Sequence, residues 1–178
     1  MPSLETCMPS FMKQNQTEIP HIDPLRYSEL KDFCTIIGIE VRDVAPHMGY
    51  TKESLYNARY LRRTGAGSYI EFSRLDGIIA YVGEEDYRIA LAELRLTKEE
   101  RENPRNTQRI TWDEGKKVLK LCGVTIADFA YAILLTPSTV SHLMGWYRRR
   151  LIPLRDIRAL KNLVGAKNFE TALRMVRK

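Results

Sequence analysis

No two cysteines in this sequence stand close enough to draw a redox or zinc motif, since Cys7, Cys34 and Cys122 are far apart. A CxxC metal framework and a disulfide scaffold read from spacing are therefore excluded. Cys34 and Cys122 fall on apolar faces of expected helices, where cysteine behaves as a small hydrophobe. His21, His47 and His142 are equally dispersed, so no metal site and no cofactor are expected. Long apolar runs are also missing: none approaches the roughly 18 residues that span a bilayer. Residues 1–25 lack a basic start followed by an apolar stretch, so a secretory signal is not expected and a cytoplasmic location is. Catalytic groupings are absent as well. There is no carboxylate pair, no nucleophile with a base and no phosphate-cradling glycine loop, Gly65-Ala66-Gly67 reading as a connecting loop after a basic helix end. A role in binding is expected, with no catalytic residue.

What the chain does contain is enough apolar surface for a core, 44% of 178 residues, and a lopsided distribution of charge. Residues 1–103 carry 13 Lys and Arg against 17 Asp and Glu, whereas residues 104–178 carry 15 against 5. A segment that basic suits a polyanionic partner such as nucleic acid, whose phosphates attract cations and release counterions on contact. A well-solvated basic surface would account for charge alone, so the decision falls to the motifs.

An internal repeat supplies them. Displaced by 85 residues, Ile36–Arg63 aligns without a gap on Leu121–Arg148. Gly38 meets Gly123, Val41 meets Ile126, Asp43 meets Asp128, Ala45 meets Ala130, Met48 meets Ile133, Thr51 meets Thr136 and Leu55 meets Val140. Identities are few, and the apolar pattern is what recurs. Farther on the displacement becomes 82, with Gly83 on Gly165, Tyr87 on Phe169 and Ala90-Leu91 on Ala172-Leu173. One duplication with a loop insertion between the third and fourth helices explains both registers.

Each copy reads as five helices. In the second, Thr111 with Glu114 forms a capping box opening a helix to about Cys122, and Thr125 with Asp128 opens the next. Thr136 caps the third helix with Pro137 in its first position, where the missing N–H costs nothing. Val140, Leu143 and Met144 then point inward. Pro153 starts the fourth, burying Ile157, Leu160 and Leu163 and ending at Gly165; the fifth buries Phe169, Ala172, Leu173 and Val176. The first copy follows with helices near 28–37, 43–48, 52–61, 73–82 and 84–95, provided that its second helix begins late enough for Pro46 to sit in the first turn. The organisation expected is an extension (1–25), an acidic domain (26–96), a linker (97–110, with a helical piece at Thr97–Glu102) and a basic domain (111–178). No strand is evident, so the class is all-α.

The second and third helices of each copy resemble the lambda-repressor-like, Cro-type helix-turn-helix family. The residues that carry the likeness are Val44-Ala45, Met48-Gly49, Thr51 and Leu55, and again Phe129-Ala130, Ile133, Thr136 and Val140. The alanine lets two helices cross closely. Leu134 stands where the family's turn usually has glycine, a departure. The resemblance implies two tandem five-helix domains covering most of the chain, and double-stranded DNA as partner. It nominates Lys52, Glu53, Tyr56, Asn57, Ser138, Thr139, Ser141 and His142 to read base edges in the major groove. Thr51 and Thr136 would meet phosphates, as would Arg148, Arg149 and Arg150 after the second reading helix, with Arg59, Arg62 and Arg63 in the matching place of the first copy. A chain of solvated helices would show the same residues. Trp146 and Tyr147 suit either the core or the surface.

The function these features imply is a sequence-specific transcriptional regulator of a bacterial, phage or mobile-element kind, located at the nucleoid. Both copies would read half-sites about 10 base pairs apart, or the basic copy would read DNA while the acidic one assembles the protein. Ile89, Leu91 and Leu94 are candidates for pairing in a homodimer. Glu53 and the acidic first copy favour the other reading, an antirepressor or antiactivator binding a regulator or another part of the transcription machinery.

Overall fold

A computed structural model of the chain describes residues 23–51, 53–55, 69–103 and 108–178. Among these the chain is helical, apart from two isolated antiparallel bridges, as the absence of strand-like alternation predicts.

In the first half, α1 (Leu30–Ile37) buries Leu30, Phe33, Cys34 and Ile37, a stripe at helical spacing. Gly38 ends it in the left-handed conformation, its amide returning to the Cys34 carbonyl. Glu40 precedes α2 (Val41–Val44), its own amide donating to Asp43 Oδ2 at 2.9 Å. Here the expectation for Pro46 fails. The helix starts at Val41, too early to hold Pro46 in its first turn, and the missing N–H ends it after one turn. Pro46 opens a 3-10 turn instead, Pro46–Met48. Over that turn rides α3 (Phe72–Val82), whose Gly77 abuts the His47 carbonyl so closely that a Cβ would overlap it. The half closes with α4 (Glu84–Leu94), and Thr97 caps a short α5 (Lys98–Glu102).

The second half comprises α6 (Trp112–Leu121), α7 (Ile126–Ala132), α8 (Pro137–Trp146), α9 (Leu154–Val164) and α10 (Ala166–Val176). The threonine caps predicted at 111, 125 and 136 are all formed, each side chain accepting the amide three residues on.

Local geometry repeats at both sequence displacements. The Ile39 amide donates to the Cys34 carbonyl and Val124 to Leu119, each at 3.0 Å; Tyr50 donates to Ala45 and Leu135 to Ala130, each at 2.9 Å. Past the insertion, Ile70 donates to the Leu25 carbonyl at 2.8 Å as Ile152 does to Ile110 at 2.7 Å. The bridges Arg26–Tyr69 and Thr111–Leu151 sit beside these bonds. Helices α3 and α9, and α4 and α10, coincide residue for residue at a displacement of 82. Leu25 and Ile110, the last residues of the expected extension and linker, are fully buried and so form part of the folded halves.

Side-chain placement departs from expectation at two places and decides a third that the sequence left open. Leu163 is exposed because Val164, next to it, completes the stripe of Leu154, Ile157 and Leu160. Leu91 is buried in its own half and so drops out of the expected pairing face, while Ile89 and Leu94 are half-buried against the core. Trp146 lies on the surface, 82% exposed, and Tyr147 is also exposed.

The halves meet along a seam. Gly38 faces Pro153, and a Cβ on Gly38 would lie 2.6 Å from the proline Cβ, so only glycine lets α1 approach α9 this closely. Arg158 of α9 pairs with Asp86 of α4 at 2.6 Å. Arg109 pairs with Glu93, which is only 3% exposed. Burial raises the Asp86 carboxyl above the usual aspartate range, and the Arg158 guanidinium opposes that shift. Part of the opposite charge of the two halves is therefore spent on holding them together.

Candidate nucleic-acid interface

The site begins with a pair of packed helices. Thr125 accepts the Asp128 amide at 3.1 Å and Asp128 accepts the Thr125 amide at 3.2 Å, fixing the start of α7. Phe129 and Ala130 are fully buried where α7 packs on α8. The chain reverses through Leu134, which adopts φ 58°, a left-handed conformation costly for a residue with a Cβ. Thr136 then caps α8 by accepting the Thr139 amide at 3.2 Å. Val140 and Met144 anchor the inner face of α8 in the core.

That anchoring leaves Ser138, Thr139, Ser141 and His142 exposed together on the outer side. The His142 ring lies 6.2 Å from Trp146 and 5.6 Å, edge-on, from Tyr147. Arg148, Arg149 and Arg150 come directly after. Their backbone is pinned to the start of α6, with the Asp113 amide donating to the Arg148 carbonyl at 2.9 Å and Trp112 to Arg150 at 3.0 Å. The side chains are left outward, and the Arg150 guanidinium stacks 4.4 Å above the Tyr147 ring. Trp146 to Arg150 line a shallow hollow of about 370 Å³. No carboxylate occurs between Asp128 and Asp156, so nothing on this stretch offsets the arginines. A polar helix face flanked by fixed cations offers hydrogen bonds to base edges and charge to phosphates.

No protein-family model matches the chain, and no curated protein or solved structure is significantly similar to it. The geometry therefore carries the functional argument.

The corresponding place in the first half is partly described. Thr51 is exposed, its hydroxyl accepting the Ser54 amide at 3.2 Å and donating to Ser54 Oγ at 3.0 Å, and Glu53 is exposed on the same turn. Thr136 shares its hydroxyl with Thr139 Oγ1 at 2.8 Å in the same way. Both threonines thus act first as helix caps. Lys52, Tyr56, Asn57, Arg59, Arg62 and Arg63 lie outside the described residues.

Sequence reasoning missed an apolar rim beside the polar face. Leu134 is 91% exposed and Tyr131 73%. The signal was present in Leu134, a bulky residue at a turn position that favours glycine.

Proposed function

We propose that this protein is a sequence-specific double-stranded DNA-binding regulator built from two tandem helix-turn-helix units of the lambda-repressor-like kind. Helix α8 lies in the major groove, with Ser138, Thr139, Ser141 and His142 toward base edges, and Arg148, Arg149 and Arg150 grip the adjoining phosphate strand. Binding in the cytoplasm, at the nucleoid, is the setting this role requires; among the described residues no helix is long and apolar enough to cross a membrane. The observation that carries the reading is the exposed face of α8 beside three outward arginines, on a stretch without a carboxylate. The recurrence of the same local geometry in the first half supports a second unit, with Thr51 and Glu53 in the place of Thr136 and Ser138.

Selection of bound sites from random duplexes, followed by fluorescence anisotropy over a range of salt, tests this. Replacing all three arginines with alanine is expected to weaken binding to every sequence and to reduce the salt slope by up to about three. His142→Ala is expected to alter which sites are preferred. Unchanged affinity in the triple variant refutes the phosphate grip.

The exposed rim of Tyr131, Leu134 and Trp146 favours a second reading, in which the same fold captures a regulator or polymerase as an antirepressor or antiactivator. Retention of a protein partner by a chain that fails to shift any duplex would decide for it.

A further inference from the structure

Where the two halves meet, an open cleft of about 800 Å³ is lined by charged side chains from three parts of the chain. Asp32 and Glu93 come from the first half, Arg101 and Arg109 from the connecting segment, and Arg149 and Arg150 from the second half. Glu93 is already neutralised, because Arg109 donates to both of its carboxylate oxygens. Among the described lining residues, that leaves the arginines Arg101, Arg149 and Arg150 with one carboxylate, Asp32. Arg101 Nε is buried and has no hydrogen-bond partner among the described residues, an uncommon state for a buried donor. Ile36 and Leu151 add an apolar wall.

Guanidinium forks match the oxygen geometry of phosphoryl groups and bind them in a bidentate manner. The cleft falls within the usual size of small-molecule sites, about 300–1,000 Å³. We infer that this cleft binds a small organic anion bearing a phosphoryl or pyrophosphoryl group, held by Arg101, Arg149 and Arg150 with its less polar part against Ile36 and Leu151. On the reading proposed above, Arg149 and Arg150 also serve the DNA backbone. A bound anion then competes with the duplex for these two side chains and lowers affinity for DNA, which makes the seam an effector site. The phosphoryl group recognised here has two sources, a free small molecule and a DNA strand, and these are separated by measuring each alone.

Inorganic pyrophosphate is the probe, titrated calorimetrically into the full chain at low salt in the absence of DNA. Arg101→Gln is expected to weaken its binding about tenfold or more. Arg148→Gln, outside the cleft, is expected to leave it within about twofold. Asp32→Asn, a change at an exposed position that removes the opposing charge, is expected to tighten it about twofold to threefold. No heat from pyrophosphate, or equal losses in the Arg101 and Arg148 variants, would overturn the assignment. Thermal melts of each variant show whether the fold is kept, and the Asp32 result stands even if Arg101→Gln unfolds. The duplex arm repeats the anisotropy titration with pyrophosphate against chloride at matched ionic strength. A rise in the duplex Kd only with pyrophosphate supports the coupling, and no difference overturns it. Binding of pyrophosphate without any duplex binding would keep the cleft while refuting the DNA reading.

Discussion

Leu134 is the clearest place to test the physical reasoning. It occupies the turn between α7 and α8 at φ 58°, where the corresponding residue of the first half is Gly49 at φ 70°. A side chain in the left-handed region costs about 1–2 kcal/mol, from crowding of the Cβ against the following carbonyl. Replacing Leu134 with glycine removes that cost but gives back about 0.5–1 kcal/mol through the larger freedom of glycine in the unfolded chain. Almost no burial is lost, since Leu134 is 91% exposed. The expected net gain is about 0.5–1 kcal/mol, seen calorimetrically as a rise in Tm of about 1–4 °C for a chain of this size. Gly49→Ala is the reciprocal change. A Cβ there would meet nothing within 4 Å, so any loss comes from backbone conformation alone; the expected cost is about 1 kcal/mol. A lower Tm for Leu134→Gly, or no change in both variants, would refute the claim that this turn is strained. If the strain is confirmed, a leucine kept there at a cost is best explained by what it touches from outside.

Removing Arg109 as Arg109→Met leaves the Glu93 carboxylate buried without its partner and is expected to destabilise the protein by about 3 kcal/mol in urea unfolding. The double change Arg109→Met with Glu93→Met should recover most of that loss. Glu114 accepts the Thr111 amide and Arg177 Nε, each at 2.7 Å. Burial pushes its carboxyl up, but those donors outweigh it and hold it below the ordinary glutamate value. Its contribution is therefore complete above that ordinary range and is lost as pH falls through the lowered value. Glu114→Gln is expected to cost about 1 kcal/mol at neutral pH, and the gap from the natural protein should close in acid.

Much of the fold was legible because its causes are local. Threonine caps, glycine stops and apolar stripes at helical spacing lie within a few residues of one another, and their recurrence at displacements of 85 and 82 placed most helices. Errors arose where two local rules competed. Leu163 and Val164 are both apolar, and only packing decides which one completes the stripe. At Pro46 the requirement for a backbone donor outweighed the pattern of the second helix. The outward face of α8 was legible because its inner residues, Val140 and Met144, follow from periodicity. The cleft was not, because Asp32, Arg101 and Arg150 share no periodicity and meet only when the halves dock. The charge imbalance pointed to a polyanion, yet Asp86 with Arg158 and Glu93 with Arg109 show that some of it is satisfied internally.

For the tandem DNA reader proposed above, the close approach of Gly38 to Pro153 bears on how half-sites would be measured. Two modules on a slack tether tolerate sites at many separations, because the tether absorbs the difference. On the DNA-binding reading proposed above, modules clasped through a glycine–proline contact and a salt-bridged edge would present their reading helices at one offset and phase, as a ruler does. One base pair inserted between two half-sites rotates the second by roughly a tenth of a turn, a twist that such a clasp passes on as strain.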